Sequence, residues 1–581
     1  MSKKTACPLD CYDACEIIYE DGKIKGAKSG HTQGFLCQNL NHYKKYETIQ
    51  SPRYKGKEIT LQEALLKLKE IVASSSPSEI LHYRGSGNFA LMQEVTDHFF
   101  ASYGAVLTEG SLCDGAGEAG IIEGRGSNKN MPLHEVAKSD VVIFWGRNPH
   151  ITSTHLLPLI KDKKVVVIDP IKTKIAKSAN LHIQLKPHTD IFLAMMLSRF
   201  LYIEHGYDVD FLDAHASEYE DYYELTQNIR IKAVLEHIGA SLGQVGEILA
   251  LVKNRRVAIV CGVGVQKYSN GADVMRAIDA FAAMLGLFGK EGCGVSYLGS
   301  SREGIASPFN KKAKKVSKVN TEFSDFKTVF IQGANPLSQM PNSLRVRESI
   351  KRVENVVYFG LYENETSEIA DLIIPAKSFL YKDDVRTSYS HNVMSFMPKV
   401  AQSDVGISEY ELSSYLCKEF DIMIESEEFY LKYFKNFAVQ KMDGSWYVEN
   451  REDIPYRDGF DTDDGEFLFL DELDARVEQE SGFHLITCKS QTSLNSQFDR
   501  EDSVYMHSSL GYNEGETVTI SSVSGSVELR VKHNDDLRED CLLIYSGTRG
   551  VNNLTTSKHA HYAKSAIFQE NRVEINRRVT V

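Results

Sequence analysis

Asp140-Val-Val-Ile-Phe-Trp-Gly-Arg-Asn-Pro149 carries an unbroken apolar run that stops at a glycine and passes into an Asn-Pro turn. A strand without polar alternation is buried on both faces, as in a parallel sheet covered by helices. The neighbouring sequence agrees: a helix is predicted around His155 to Ile160, followed by a second apolar strand, Lys164-Val-Val-Val-Ile-Asp169-Pro170. Val257-Ala-Ile-Val-Cys-Gly262-Val-Gly264 opens another unit, continued by helical spacing from Ala272 to Leu287. Strands alternating with helices predict an α/β fold.

The pattern then returns. Thr328-Val-Phe-Ile-Gln-Gly333-Ala-Asn-Pro336 repeats the strand and its GxNP loop 187 residues further on, and Ile369-Ala-Asp-Leu-Ile-Ile374 echoes Ser178-Ala-Asn-Leu-His-Ile183 at a separation of 191. Two related halves imply two similar ligands or one divided site. In open α/β sheets ligands bind at the carboxyl ends of strands, where both loops fall, and Asp169 is placed there for a ribose or a purine edge. A tight strand-to-helix turn would also need Gly and Pro, but the duplication favours nucleotide-like binding. Gly262-Val-Gly264 lacks the third glycine of a dinucleotide fingerprint and reads as a close-packed turn near a ligand.

At the N-terminal end, Cys7-Pro-Leu-Asp-Cys11-Tyr-Asp-Ala-Cys15 and Gly34-Phe-Leu-Cys37 gather thiols in a three-plus-one grouping. That spacing suits a 4Fe-4S cluster better than structural zinc, which favours two separated ligand pairs. Glu16 to Gly26 reads as a hairpin turning at Asp21-Gly22, which would bring Cys37 back to the first thiols. Helical spacing begins at Thr60, and Ile80-Leu-His-Tyr-Arg84 is a short strand running into the loop Gly85-Ser-Gly-Asn88. Beyond residue 400 the signals weaken: Glu425 to Asp474, acidic and aromatic, reads as surface elaboration. Strands at Phe483–Cys488, Glu516–Ile520, Ser526–Val531 and Cys541–Tyr545 predict a C-terminal β-domain, barrel-like.

Leu112-Cys113-Asp114-Gly-Ala-Gly117-Glu118-Ala-Gly120 is the other unusual stretch. Its glycines allow close backbone approach, and Cys113 and Asp114 each offer an anionic metal ligand; a buried free cysteine in a Gly-rich turn is the plainer alternative. His150, His155, His182 and His188 fit packing or capping roles. HExxH pair, nucleophile elbow and P-loop are all missing.

With 581 residues the chain predicts several domains, and its net charge of -13 argues against a general nucleic-acid binder. No apolar run is long enough to span a bilayer, no export signal precedes Cys7, and the other cysteines are dispersed, so a cytoplasmic location is expected.

Taken in order along the chain, the four-cysteine segment, Trp145-Gly-Arg-Asn-Pro149, Val167-Ile-Asp169-Pro170, Pro187-His-Thr-Asp190, Ala334-Asn-Pro336 and the terminal β-domain resemble the molybdopterin oxidoreductase family, the dimethyl sulfoxide reductase and formate dehydrogenase superfamily. The resemblance implies molybdenum or tungsten held by two molybdopterin guanine dinucleotides, with a 4Fe-4S cluster ligated by Cys7, Cys11, Cys15 and Cys37. Gly146, Arg147, Asn148, Asp169 and Asp190 match contacts to one dinucleotide; Gly333, Asn335 and Pro336 match contacts to the other, and Asn552 lies near a pterin. Cys113 falls at the family's metal-ligating position, with Asp114 as the alternative. The implied architecture is an α/β multidomain chain. A small iron-sulfur domain occupies 1–55, a discontinuous α/β domain 56–125 with 310–475, a Rossmann-like α/β domain 126–309, and a C-terminal β-barrel 476–581.

The implied activity is a two-electron oxidation or reduction of a small molecule, with electrons passing through the cluster to a redox partner protein or subunit. Three departures bear on it. Asp114 stands where formate dehydrogenases usually carry histidine. Asn39 replaces a lysine common between cluster and pterin, with Lys44 and Lys45 out of register. Pro187-His188-Thr189 replaces a usual Pro-Gly-Thr. A catalytically silent electron-transfer subunit and a non-redox hydratase or transhydroxylase are the alternatives.

Overall fold

The structure is a computed structural model that describes residues 2–41, 45–86, 90–472 and 481–577. Lys44, the Gly87-Asn88 end of the loop after Ile80–Arg84, and the expected boundary at 475–476 lie outside the described residues.

The sequence of buried strands folds into two parallel sheets. In the first, the order is Leu181–Ile183, Lys164–Ile168, Val141–Trp145, Val257–Cys261 and Gly294–Ser296. Every side chain of Val141–Trp145 and Val257–Cys261 is buried, as unbroken apolar runs require. The helix Gly271–Met284 is buried on all sides because it is wedged against the sheet, the helix Asp190–Ile203 and the helix Gly115–Arg125. Gly120 makes the last contact possible: a Cβ there would stand 2.2 Å from the Ala272 carbonyl oxygen.

The second sheet has eight strands, ordered Lys315–Ser317, Val106–Glu109, Ile80–Arg84, Thr328–Gln332, Asn355–Gly360, Leu372–Pro375, Arg53–Tyr54 and Lys57–Glu58. All but the terminal hairpin are parallel. Its centre repeats the first sheet. In each, the strand entering the GxNP loop lies between the next strand of its own repeat and a strand from elsewhere in the chain. The third strand follows at the far side of the second.

Lys3–Ala6, Glu16–Glu20 and Lys23–Gly26 form a small antiparallel sheet. Its turn has Asp21 at φ 48° and Gly22 at φ 74°, the left-handed pair that a two-residue hairpin needs. At the other end, Phe483–Ile486, Cys541–Leu543, Ser503–Met506, Ser526–His533, Thr517–Ser521 and Arg572–Arg577 close into a six-stranded barrel.

Two local expectations change. The helix expected near His155 is a 3-10 helix, Thr154–Ile160, since Pro158 lacks the N–H that an α-helical turn would use. The stretch from Glu425 is not surface elaboration. Tyr430, Phe434 and Val448 are buried in one core, and Tyr456, Phe460, Phe467, Phe469 and Leu470 in the core of the five-stranded unit. The aromatic content drives this, because each such ring buries enough area to outweigh the acidic residues between them. There Tyr456 and Phe288 flank the buried Arg125 guanidinium, which pairs with Asp279.

Candidate functional site

The small antiparallel sheet and the turns after it bring Cys7, Cys11, Cys15 and Cys37 to the wall of one small pocket. The hairpin returns the chain through Gly26, whose missing side chain lets Phe35 pass at 2.6 Å from where a Cβ would be. Burial pushes the Cys7 and Cys37 thiols up to about 11 and Cys11 up to about 12, and lifts Cys15 well above its ordinary value. Four thiolates can share such a place only with a cationic centre to hold them. The ring nitrogens of His31 and His155 and the Cys15 sulfur also lie within 4.8 Å of one another. Both His155 nitrogens face acceptors, however: Nδ1 the Asp13 carboxylate at 2.8 Å and Nε2 the Phe35 carbonyl at 3.0 Å. That leaves His155 no lone pair for a metal, so the four-thiol set is the better donor group.

Beside this pocket lies a cavity of about 1180 Å³. Leu9, Asp10, Ile151 and Thr152 belong to both walls. On the side of the five-stranded sheet the cavity is lined by Gly146, Arg147, Asn148, Asp169 and Asp190. Gly146 has φ 61°, and a Cβ on Gly262 would stand 1.7 Å from the Gly146 carbonyl oxygen, so the two turns interlock through bare backbone. Burial lifts the Asp169 carboxyl to about 7, against an opposing hydrogen bond from the Ile171 N–H at 2.8 Å. It lifts Asp190 to about 6, although Trp145 Nε1 donates to that carboxylate at 2.7 Å. Arg147 turns inward: its guanidinium lies 4.3 Å from the Tyr12 ring centre and donates to Ser153 Oγ. Asn148 Oδ1 accepts from the His150 N–H at 3.1 Å and shapes the loop.

On the eight-stranded side the wall contains Gly333 and Asn335, with Pro336 just behind it at the start of the helix Pro336–Gln339. Gly333 has φ 53° and open space where a side chain would be. The Asn335 amide is engaged within the loop, donating to Glu365 at 2.8 Å and accepting from Thr366 Oγ1 at 2.8 Å. Arg500 reaches Glu365 at 2.8 Å, and Asn552 donates to the Ser338 carbonyl at 2.6 Å, so the barrel side is fastened to this loop while lining the cavity.

Cys113 and Asp114 open into the same cavity. Ser111 Oγ accepts from their N–H groups at 2.9 and 3.1 Å and donates to Asp114 Oδ1 at 2.8 Å, turning that carboxylate toward its own loop. Gln266 clamps the turn, with Nε2 donating to the Cys113 carbonyl at 2.8 Å and Oε1 accepting from the Gly117 N–H at 2.9 Å. Cys113 is exposed only into the cavity; the enclosing protein and then the Asp114 charge push its thiol up to about 12. Burial also raises Asp114.

The histidines divide. His150 lines the cavity, His155 packs behind Cys15, His182 donates to the Asp169 carbonyl at 3.0 Å, and His188 stacks on Tyr268. Sequence reasoning missed the cationic residues of the wall. Lys172, Lys174, Lys177 and Lys186 flank the Asp169 end, Arg84, Lys318 and Lys382 the other half, and Lys267 and Lys489 the surroundings of Cys113. The run Lys172-Thr-Lys174, one residue after Asp169-Pro170, was the available signal.

The family model described as molybdopterin oxidoreductase matches residues 60–418. The chain is 28% identical over 447 residues to Probable oxidoreductase YyaE of Bacillus subtilis, covering 69% of this chain and 66% of that protein. It is 22% identical over 474 residues to Formate dehydrogenase H of Escherichia coli, covering 68% and 65%. With the Assimilatory nitrate reductase catalytic subunit of Bacillus subtilis the figures are 21% over 458 residues, 67% and 64%. The chain thus spans just under two thirds of the length of these relatives. Among solved structures, Acetylene Hydratase from Pelobacter acetylenicus shares the fold, with a TM-score of 0.80, 15% identity, and coverage of 99% of this chain and 100% of that one.

Proposed function

Because the chain belongs to the molybdopterin oxidoreductase family, we propose that it carries molybdenum or tungsten between two molybdopterin guanine dinucleotides and converts a small substrate by a two-electron oxidation or reduction, with a 4Fe-4S cluster at Cys7, Cys11, Cys15 and Cys37 as electron port. One observation carries this reading: a single cavity runs from the Gly146, Asp169 and Asp190 end, past Cys113, to the Gly333 end.

The residues fit such a group. Gly333 and Gly264 present bare backbone to the cavity, with open space where a Cβ would be. Asp169 and Asp190 are buried carboxyls at the end of one half, suited to the donor edge of a guanine. The lysines flanking each half match the phosphates of two dinucleotides. On this reading residues 126–309, joined by 456–470 in the same core, hold one dinucleotide, residues 56–125 with 310–455 the other, residues 1–55 carry the cluster, and the barrel from Phe483 to Arg577 closes the cavity with Asn552.

When bound, the metal would supply the two-electron chemistry, and its sulfur-rich surroundings would suit a soft thiolate ligand. The chain's own contribution is placement. Ser111 and Gln266 fix the turn that aims Cys113 into the cavity, and Ser111 holds the Asp114 carboxylate to that turn. The wall shared by the two pockets sets the thiol pocket next to the cavity, where electrons can pass on to a partner protein.

The test is elemental analysis of anaerobically purified protein, followed by a screen of electron donors and acceptors. Molybdenum or tungsten near one per chain, about four irons, and guanine nucleotide released by acid are the expected results. Absence of both metals from protein matured with full cofactor supply would refute the reading. Turnover without any external acceptor would replace it with a non-redox one.

A further inference from the structure

Two lysines face the Cys113 turn from opposite parts of the chain. Lys267 follows the short 3-10 helix Val263–Gln266, and Lys489 lies just past the first strand of the barrel. Both line the cavity, and both charges act on the Cys113 thiol. Their situations differ. Lys489 has a carboxylate partner, Asp10, at 4.0 Å, and Asp10 also accepts from Asn495 Nδ2 at 3.1 Å. Lys267 Nζ lies 4.9 Å from the centre of the Phe568 ring and makes no hydrogen bond or ion pair among the described residues. The carboxylate that could have reached it, Asp114, is held by Ser111 Oγ within its own loop.

The backbone under Lys267 is pinned on both sides. Its N–H donates to the Gly264 carbonyl at 3.2 Å, and its own carbonyl accepts from the Gln569 N–H at 3.1 Å. The preceding residue, Gln266, is the clamp on Cys113. The ammonium is therefore carried on a fixed turn, tied to the residue proposed to ligate the metal and backed by an aromatic face. Among the described residues no carboxylate pairs with Lys267, and Lys489 repels it across the cavity. A desolvated cation so placed is stabilised by a negative ligand, and an enclosed cavity strengthens that attraction over its value in water.

From this juxtaposition we propose that Lys267 anchors the substrate, which is a small anion of the oxyanion or carboxylate class bound beside Cys113, with Lys489 adding to the local field. The inference rests on the metal site proposed above, since it places the anion within reach of Cys113. Lysine rather than arginine suits this role: a compact ammonium on a flexible stem can follow a small ligand of varied shape.

The test uses the holoprotein, with metal content measured on each preparation, and reads binding of nitrate, acetate and neutral dimethyl sulfoxide by titration calorimetry. Wild type should bind at least one of the anions saturably and bind dimethyl sulfoxide far more weakly. Lys267→Met should weaken the anion by about tenfold to a hundredfold, the usual worth of a charged hydrogen bond, at unchanged metal content. Lys267→Arg should recover most of that loss. The proposal is overturned if wild type binds neither anion, if Lys267→Met binds the anion as wild type does, or if dimethyl sulfoxide binds as tightly as the anions. It is equally overturned if Lys267→Met alone fails to load the metal, because Lys267 then holds the cofactor. A wild type that lacks molybdenum and tungsten yet shows the Lys267-dependent anion site would sink the metal reading and leave the anion site standing.

Discussion

Gly262→Ala is the sharpest single test of the first GxNP loop. The added methyl would stand 1.7 Å from the Gly146 carbonyl oxygen, 2.4 Å from its carbon and 3.0 Å from the Arg147 nitrogen, all of them backbone. An ordinary carbon–oxygen contact is roughly 3.3–3.6 Å, so the two turns must separate by about 1.6 Å or more. They cannot do so freely. The Gly262 N–H donates to the Trp145 carbonyl at 2.7 Å, and the Gly146 N–H donates to the Ile168 carbonyl at 2.8 Å. Overpacking of this kind costs about 1–3 kcal/mol or more, and a displacement beyond 1 Å at a ligand-holding loop lowers occupancy far more than it lowers stability.

Gly246→Ala is the control, on the exposed face of the helix Leu242–Val252 and away from the cavity, with nothing within 4 Å of its Cβ and no positive φ. Expressed with full cofactor supply, Gly262→Ala should keep its circular dichroism spectrum, melt a few degrees lower, and contain less than about a tenth of the wild-type metal and guanine nucleotide, while Gly246→Ala keeps the wild-type metal and nucleotide content. Full metal content in Gly262→Ala would refute the idea that this interlock shapes the cofactor loop.

Three further outcomes follow from the same geometry. Gln266→Ala removes the two hydrogen bonds by which Gln266 clamps the Cys113 turn, leaving those of Ser111, and should lower turnover about tenfold to a hundredfold, as loss of a supporting partner to the proposed metal ligand does; iron content should not change. Arg125→Met leaves Asp279 buried without its cation and should cost about 3–5 kcal/mol, read as a lower melting temperature, whereas the double variant with Asp279→Leu should regain much of it. Asp169 has its folded-state pKa raised from 3.8 to about 7 by burial, so it favours folding only while protonated. That stability is lost progressively as pH rises from about 4 through 7. In cofactor-free protein, Asp169→Asn should therefore raise the melting temperature at pH 8 and leave it unchanged below pH 4, and an increase independent of pH would contradict burial as the cause.

The parts of the fold legible in the sequence were those whose burial leaves a one-dimensional trace. Val141–Trp145 and the Val329-Phe-Ile331 centre of Thr328–Gln332 are unbroken apolar runs because both faces of a parallel strand are covered, and their repeated loops sit at equivalent places in the two sheets. The hairpin at Asp21-Gly22 was legible because Asp-Gly favours the type I′ two-residue turn, with both residues at positive φ. The segment around Tyr456 to Leu470 was not, since its aromatics reach the core from irregular backbone and so show no period. Within the site, the loop residues were found by motif, but the work their side chains do was not. Asn335 and Asn148 spend theirs on the loop itself, and Arg147 turns toward Tyr12. Lys267 and Lys489 come together only when the barrel packs against the five-stranded unit, and a pairing made by tertiary packing leaves no local pattern to read.

The relation between the two pockets gives the last prediction. Leu9 and Asp10, which stand in both walls, belong to the same turn as Cys11, and Ile151 and Thr152 belong to the loop after Gly146. The four thiols proposed to hold the cluster are thus set one residue's thickness from the cavity, and Tyr12 between Cys11 and Asp13 packs on Arg147 of that loop. If electrons leave turnover by this wall, losing the cluster must uncouple the reaction without emptying the cavity. Cys11→Ser should lower iron while molybdenum or tungsten stays above half of wild type. Activity with a protein acceptor should then fall by at least about a hundredfold, which corresponds to roughly 2.7 kcal/mol of barrier. A small dye that enters the cavity should still be reduced. Equal loss with both acceptors would mean that the substitution damages the metal site itself. Undiminished turnover after complete loss of iron would remove the cluster from the route, and with Asn39 in the place of the expected lysine it would shift the reading of this chain toward chemistry that moves no electrons out of the site.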